Sequence, residues 1–145
     1  MTRPEHASWA HGPTLDELDP PASPAAPPDA TRLVRRAHEL RTVPVEQLTT
    51  EDLRLLLGQR VAPAVLVPRA LDLLADDPWC EGHMYPGDLL SAVLRLPADH
   101  WARHPEDLVR VRGVLVRVDP GHPEHPGTDG PLGQALVAWQ EPGGR

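Results

Sequence analysis

The chain has 145 residues with 21 acidic and 14 basic side chains, which give a formal net charge of −7. This charge argues against binding to nucleic acid, because nonspecific affinity for phosphate requires basic clusters. The length suits a single domain, and the lone cysteine, Cys80, excludes a disulfide within the chain and fits a reducing compartment. The sequence contains neither an apolar run that predicts a membrane span nor the apolar segment of a signal peptide, so we expect a cytoplasmic protein with no membrane partner.

The first 30 residues are rich in proline and alanine. They hold 7 of the 19 prolines, and the run DPPASPAAPPD occupies residues 19–29. Such a segment buries too little apolar surface to offset the entropy lost on ordering. We therefore predict a disordered tail over residues 1–30, followed by a helical domain over residues 31–141.

The domain begins with a predicted amphipathic helix over residues 31–41. Its apolar side chains follow helical spacing and should share one buried face: Leu33, Val34, Ala37 and Leu40. Pro44 ends this helix, and VEQL at 45–48 is compatible with one short turn.

The stretch TTEDLRLLLGQ at 49–59 predicts a well-capped helix. Thr49 or Thr50 can accept hydrogen bonds from the free N–H groups of the first turn, where the acidic Glu51 and Asp52 also lie favourably. Gly58 fits the C′ position that ends the helix. The buried face should consist of Leu53, Leu56 and Leu57.

Three further segments have helical patterns. Residues 63–76 should form a helix with Leu71 and Leu74 facing inward, and Pro68 is tolerated there only near a helix start or at a kink. A helix over about 87–95 should bury Leu89, Leu90, Val93 and Leu94, and a short helix should place Trp101 at its centre.

The segment PEDLVRVRGVLVRV at 105–118 is ambiguous. Its valines alternate as in a strand, and Gly113 would weaken a helix. Pro105, followed by two acidic residues, favours a helix start, and we predict a helix. LGQALVAWQ at 132–140 predicts a last short helix. The chain is thus expected to be all-α, a single compact bundle of about six or seven helices.

One set of residues could bind a metal ion. Cys80 and His83 form a C-x2-H pair, and His100 and His104 form an H-x3-H pair that could share one helix face. A C-x2-C pair, which would make this pattern specific for a metal site, is absent. No catalytic constellation and no phosphate-binding glycine loop is found, so we predict no enzyme activity, no metal and no cofactor.

Acidic residues concentrate in one half of the domain. Residues 46–88 contain eight acidic residues and three arginines. Capping of helix ends and ordinary solubility would explain this pattern, and so would an acidic surface built to meet a basic protein. The candidate residues for such a surface are Glu51, Asp52, Asp72, Asp76, Asp77 and Glu81.

Two stretches in order carry a family resemblance. LTTEDLRLLLGQ and the later DDPWCEGHMYPGDLLSAVLRLP resemble the immunity proteins of bacterial contact-dependent growth inhibition (CDI) systems. Members of that family have a similar Glu-Asp-Leu-Arg helix and a Tyr-x-Gly-Asp-Leu-Leu turn followed by a helix. The resemblance covers about residues 40–105.

The resemblance implies a function and a role for the turn. Such proteins bind and neutralise the toxic C-terminal domain, commonly a basic nuclease, of a delivered effector. The shared residues would then be scaffold: Asp88 would cap a helix, Gly87 would let the chain turn and Tyr85 would pack against a neighbouring helix, together with Gly58, Leu89 and Leu90. The alternatives are a small metal protein or enzyme that uses Cys80, His83, His100 and His104, and a helical adaptor whose tail recruits a partner.

Overall fold

The computed structural model describes residues 12–20, 26–118 and 130–139. These residues form α-helices with no strand among them, which confirms the all-α prediction, although there are eight α-helices rather than six or seven. None of the described helices is long and apolar enough to cross a bilayer. The helices are α1 Leu15–Leu18, α2 Arg32–Leu40, α3 Thr50–Gly58, α4 Pro63–Asp76, α5 Asp88–Leu94, α6 Ala98–Arg103, α7 Pro105–Val116 and α8 Pro131–Ala138, with a 3₁₀-helix over Val45–Gln47.

The helix α1 lies within the segment predicted to be a disordered tail. Thr14 and Glu17 form a capping box at its start, and Leu15 is fully buried in the core. Arg41 anchors the same segment, because its Nε donates to Asp16 Oδ1 at 2.8 Å. The tail predicted over residues 1–30 therefore does not include residues 12–20, where one buried leucine and local capping offset the cost of ordering. Residues 1–11 and 21–25 lie outside the described residues.

The end of α3 differs from the prediction at Gly58. This glycine is the last helical residue, and the left-handed backbone conformation occurs at Arg60, with φ 57°. The N–H of Arg60 donates to Leu57 O and that of Val61 to Leu56 O, each at 2.9 Å. These two bonds define a Schellman motif with Arg60 at C′. At the other end of α3, Thr49 is the N-cap, in a capping box with Asp52.

The segment from residue 105 is helical, as predicted. In α7 the buried residues are Asp107, Leu108, Val111 and Val114, whereas Val109 and Val116 are exposed. The alternation of valines therefore does not mark a strand.

Prediction and structure differ in α2, where Leu33 is 41% exposed rather than part of the buried face.

The core centres on α3, α4 and α5. The helix α3 packs most extensively against α5, and α8 covers another face of α5. Pro68 is accommodated inside α4, and Arg110 of α7 donates to its carbonyl oxygen at 3.3 Å. The fully buried side chains of these three helices include Leu53, Leu56, Leu66, Leu74, Leu89 and Leu90.

Candidate partner-binding surface

The loop over residues 77–87 joins α4 to α5 and is held by the carboxylate of Asp88. Gly82 N–H donates to Asp88 Oδ1 at 2.7 Å, and the N–H groups of Met84 and Tyr85 donate to Oδ2 at 3.0 and 3.4 Å. Gly87, not Asp88, is the N-cap of α5, and no side chain caps the free amides of that helix. Asp88 was expected to cap the helix. It instead binds amides of the preceding loop, because its buried carboxylate points toward residues 82–85 and away from the first turn of α5.

A second carboxylate, that of Glu51 in the first turn of α3, fixes the same loop. It accepts the N–H of His83 at 2.8 Å and two hydrogen bonds from Arg54 at 2.7 and 2.6 Å. The hydrogen bond from the Arg54 guanidinium is the main reason that the pKa of Glu51 lies below its ordinary value. Gly82 lies so close to this carboxylate that a Cβ at position 82 would be 2.5 Å from Glu51 Oε1. A side chain at position 82 would therefore displace the Glu51 carboxylate that holds the loop.

The turn before α5 contains the residues expected to form a scaffold corner. Gly87 has φ 83°, and a Cβ at this position would overlap Leu132 of α8. Tyr85 is partly buried against the core, and Leu89 and Leu90 are fully buried. The turn thus lies at a junction of α5 with α8.

Three of the six candidate acidic residues pair with arginine side chains of the same chain. Glu51 binds the loop and Arg54, as described above. Asp52 accepts the N–H of Thr49 at 3.0 Å and lies 3.6 Å from Arg36. Asp72 accepts a hydrogen bond from Arg110 at 2.7 Å. These carboxylates already have internal arginine partners, which offset part of the charge that they could present to another protein.

The other three, Asp76, Asp77 and Glu81, are exposed and lie close together in sequence around the end of α4. Asp77 Oδ1 accepts the N–H of Trp79 at 3.0 Å, and the Trp79 side chain is buried. The side chains of Asp76 and Glu81 have neither a hydrogen bond nor an ion pair within residues 12–20, 26–118 and 130–139. We refer to Asp76, Asp77 and Glu81 as the acidic loop surface. Because the adjoining loop is held by Glu51 and Asp88, these carboxylates project from an ordered support.

The structure does not bring together the four residues considered for metal binding. Over the described ranges, no group of three or more His, Cys, Asp or Glu side chains could hold a metal ion. Burial raises the pKa of the Cys80 thiol to about 11, which keeps it protonated and a poor nucleophile or ligand. His100 and His104 stack with ring centroids 4.6 Å apart, and His100 lies 3.4 Å from Asp107 inside the protein.

The role of Glu51 in holding the loop was not predicted from the sequence. Arg54, three residues later, was the only local indication that this carboxylate is engaged, since such pairs share a helix face. Its other partner is an amide 32 residues away. Contacts of that kind leave no periodic pattern.

Comparison with protein families identifies a match for this chain. A family described as CDI immunity proteins matches residues 17–111, which is more than half of the chain and includes the loop and helices α2 to α6. No curated protein matches the chain. The helix α8, which packs over Gly87, lies beyond the matched residues.

Proposed function

This chain belongs to the family of CDI immunity proteins, and on that premise we propose that it binds and neutralises the toxic C-terminal domain of a cognate effector. The family match over residues 17–111 is the observation that carries the proposal. The partner we propose is a basic nuclease domain, and the role is stoichiometric binding rather than catalysis.

We propose further that the acidic loop surface contacts this toxin domain. Asp76, Asp77 and Glu81 are exposed and none of them pairs with an arginine in the described parts of the chain, whereas Glu51, Asp52 and Asp72 do. An ordered support limits the entropy lost when the partner binds. Clustered negative charge also speeds the approach of a basic protein, and salt screens this effect.

The affinity must keep a lethal domain inactive at low cellular concentrations. A nanomolar dissociation constant, about −12 kcal/mol, meets that requirement. Reversal of all three charges should act mainly on the association rate at low salt, because exposed charges contribute more to encounter than to the final complex.

The experiment uses the toxin domain encoded beside this gene. The variant Asp76→Arg/Asp77→Arg/Glu81→Arg and the wild type are each co-expressed with the toxin, and survival is scored. Stopped-flow association is then measured at about 20 mM and 500 mM salt. We expect the variant to associate at least about tenfold more slowly at low salt, and the difference to shrink at high salt.

A matched control has the same change in net charge. Asp29→Arg/Asp99→Arg/Glu106→Arg reverses three exposed acidic residues that lie outside the acidic loop surface. It should protect cells and associate like the wild type. Equal slowing by both triple variants would show that net charge, and not this surface, controls encounter. Failure of the wild type to bind or protect against the neighbouring toxin would contradict the immunity function for that pair.

A further inference from the structure

Two adjoining cavities form a positively charged groove on this acidic protein. The first has a volume of about 330 Å³ and lies between α3 and α5. The second has a volume of about 470 Å³ and lies where α5, α6 and α8 meet. Arg60 and Arg95 line both cavities. We refer to the two cavities together as the arginine groove.

The two shared arginines lack acidic partners. The guanidinium group of Arg60 makes neither an ion pair nor a hydrogen bond to any described residue, and that of Arg95 donates only to the backbone carbonyl of Pro131, at 3.2 Å. By contrast, Arg54 in the first cavity is paired with Glu51. The acidic residue that lines the groove, Asp88, binds amides of its own loop. Two guanidinium groups are therefore available to an anionic ligand.

Buried polar groups without partners line the same groove. Ser91 lines the first cavity, and Trp101 and Trp139 line the second; their side-chain atoms Oγ, Nε1 and Nε1 are buried and have no hydrogen-bond partner within the described parts of the chain. Ser91 and Trp101 are 2% and 1% exposed. Buried polar groups are normally hydrogen-bonded. Guanidinium groups can only donate, so a ligand that pairs with Arg60 and Arg95 must supply acceptors.

The backbone at Arg60 adds an independent observation. This residue occupies the left-handed C′ position of the Schellman motif, where glycine is preferred and a side chain is strained. The chain nevertheless has arginine here, between the two cavities. Strained residues of this kind cluster at functional sites.

We propose that the arginine groove binds an acidic peptide segment of a partner protein. Its carboxylates would pair with Arg60 and Arg95 beside the indole rings of Trp101 and Trp139, while its apolar side chains would contact Leu57, Leu94 and Leu96. Free phosphate would use the polar groups alone and leave the apolar walls uncovered. This surface goes beyond the proposed function, because its charge is opposite to that of the acidic loop surface and part of its wall comes from α8, outside the family match.

Titration of the full chain, labelled with ¹⁵N, tests the proposal without any toxin. The probe is a capped synthetic peptide of alternating glutamate and leucine, with a glutamine-for-glutamate peptide and inorganic phosphate as parallel arms. The glutamate peptide should shift the indole N–H resonances of Trp101 and Trp139 but not that of Trp79. The glutamine peptide should bind at least about tenfold more weakly.

Variants separate the charge of Arg60 from its backbone strain. Arg60→Gly should melt at the same temperature as the wild type or higher, because glycine suits the C′ position, yet bind the glutamate peptide at least about tenfold more weakly. Arg95→Gln should also weaken binding. The control, Ala62→Gly, relaxes a second left-handed residue, with φ 43°, and keeps both guanidinium groups, so its affinity should not change.

Three outcomes would overturn the proposal. They are the absence of indole shifts with the glutamate peptide, unchanged affinity in the Arg60→Gly/Arg95→Gln variant, and indole shifts caused by phosphate but not by the peptide. The last would identify a phosphate site. None of these results bears on whether the chain neutralises a toxin, so the two proposals fail separately.

Discussion

The carboxylate of Glu51 in α3 accepts a hydrogen bond from the backbone N–H of His83 at 2.8 Å, joining two segments that are 32 residues apart. Asp88 binds three amides of the same loop from its other end. The loop is therefore held at two points between α4 and α5. This attachment determines where Glu81 of the acidic loop surface lies relative to α3.

The ion pair and hydrogen bonds of Glu51 should make stability depend on pH in the acid range. The pKa of Glu51 in the folded chain lies below its ordinary value of 4.5, mainly because of Arg54. A lowered pKa contributes stability that is present above the unfolded value and is lost as pH falls through the folded value. Urea unfolding between pH 6 and pH 3 should show a smaller decrease in unfolding free energy for Glu51→Gln than for the wild type as the pH falls. Identical pH profiles would mean that Glu51 contributes no such linkage.

The leucines of α3 and α5 should behave as core residues. Leu56 and Leu90 are both fully buried, and truncation of either to alanine should cost about 2–5 kcal/mol of unfolding free energy. Leu33→Ala is the matched control, because Leu33 is exposed and its truncation should change stability by no more than about 0.5 kcal/mol. Thermal or chemical denaturation measures all three. Wild-type melting of Leu56→Ala and Leu90→Ala would contradict the assigned core.

The short helix α1 should contribute to stability although a proline-rich segment surrounds it. Leu15 is fully buried, and Leu15→Ala should cost about 2–5 kcal/mol. Leu18, three residues later in the same helix, is 45% exposed, and Leu18→Ala should be nearly neutral. Negligible effects of both substitutions would mean that this segment does not pack on the core and behaves as the disordered tail that the sequence predicts.

Two glycine-to-alanine substitutions should change stability in opposite directions. Gly87 has φ 83° and its Cβ would overlap Leu132, so Gly87→Ala should cost more than about 1–2 kcal/mol. Gly113 lies inside α7 with no atom within 4 Å of an added Cβ, so Gly113→Ala should stabilise by about 0.5–1 kcal/mol. Differential scanning calorimetry of both variants measures this contrast. Stabilisation by Gly87→Ala would contradict both the left-handed backbone at Gly87 and the packing of Leu132 over it.

Local patterns in the sequence were sufficient to predict much of the helical scaffold. The cap at Thr49 and the buried leucines of α3 and α5 follow from residue type and 3.6-residue periodicity, which depend on neighbours within one or two turns. Pro105 and the acidic residues after it identified α7 despite its alternating valines.

The remaining features depend on contacts between distant segments. Gly58 was predicted to end α3 because glycine is favoured at C′, but Arg60 takes that conformation. Leu15 is one apolar residue in a proline-rich stretch, and only the core formed by later helices makes it buried. The orientation of Asp88 toward the loop and the grouping of Arg60 with Arg95 likewise arise from tertiary packing.

The packing of Leu132 over Gly87 also bears on how the chain folds as it leaves the ribosome. The position of Leu132 means that α5 is translated well before α8 can cover it. During that interval, apolar surface on α5 that α8 later covers is open to solvent, and such surface promotes aggregation of nascent chains. Slow translation of residues 95–130 would prolong this exposure, so synonymous codon changes in that interval could alter the soluble yield without altering the protein.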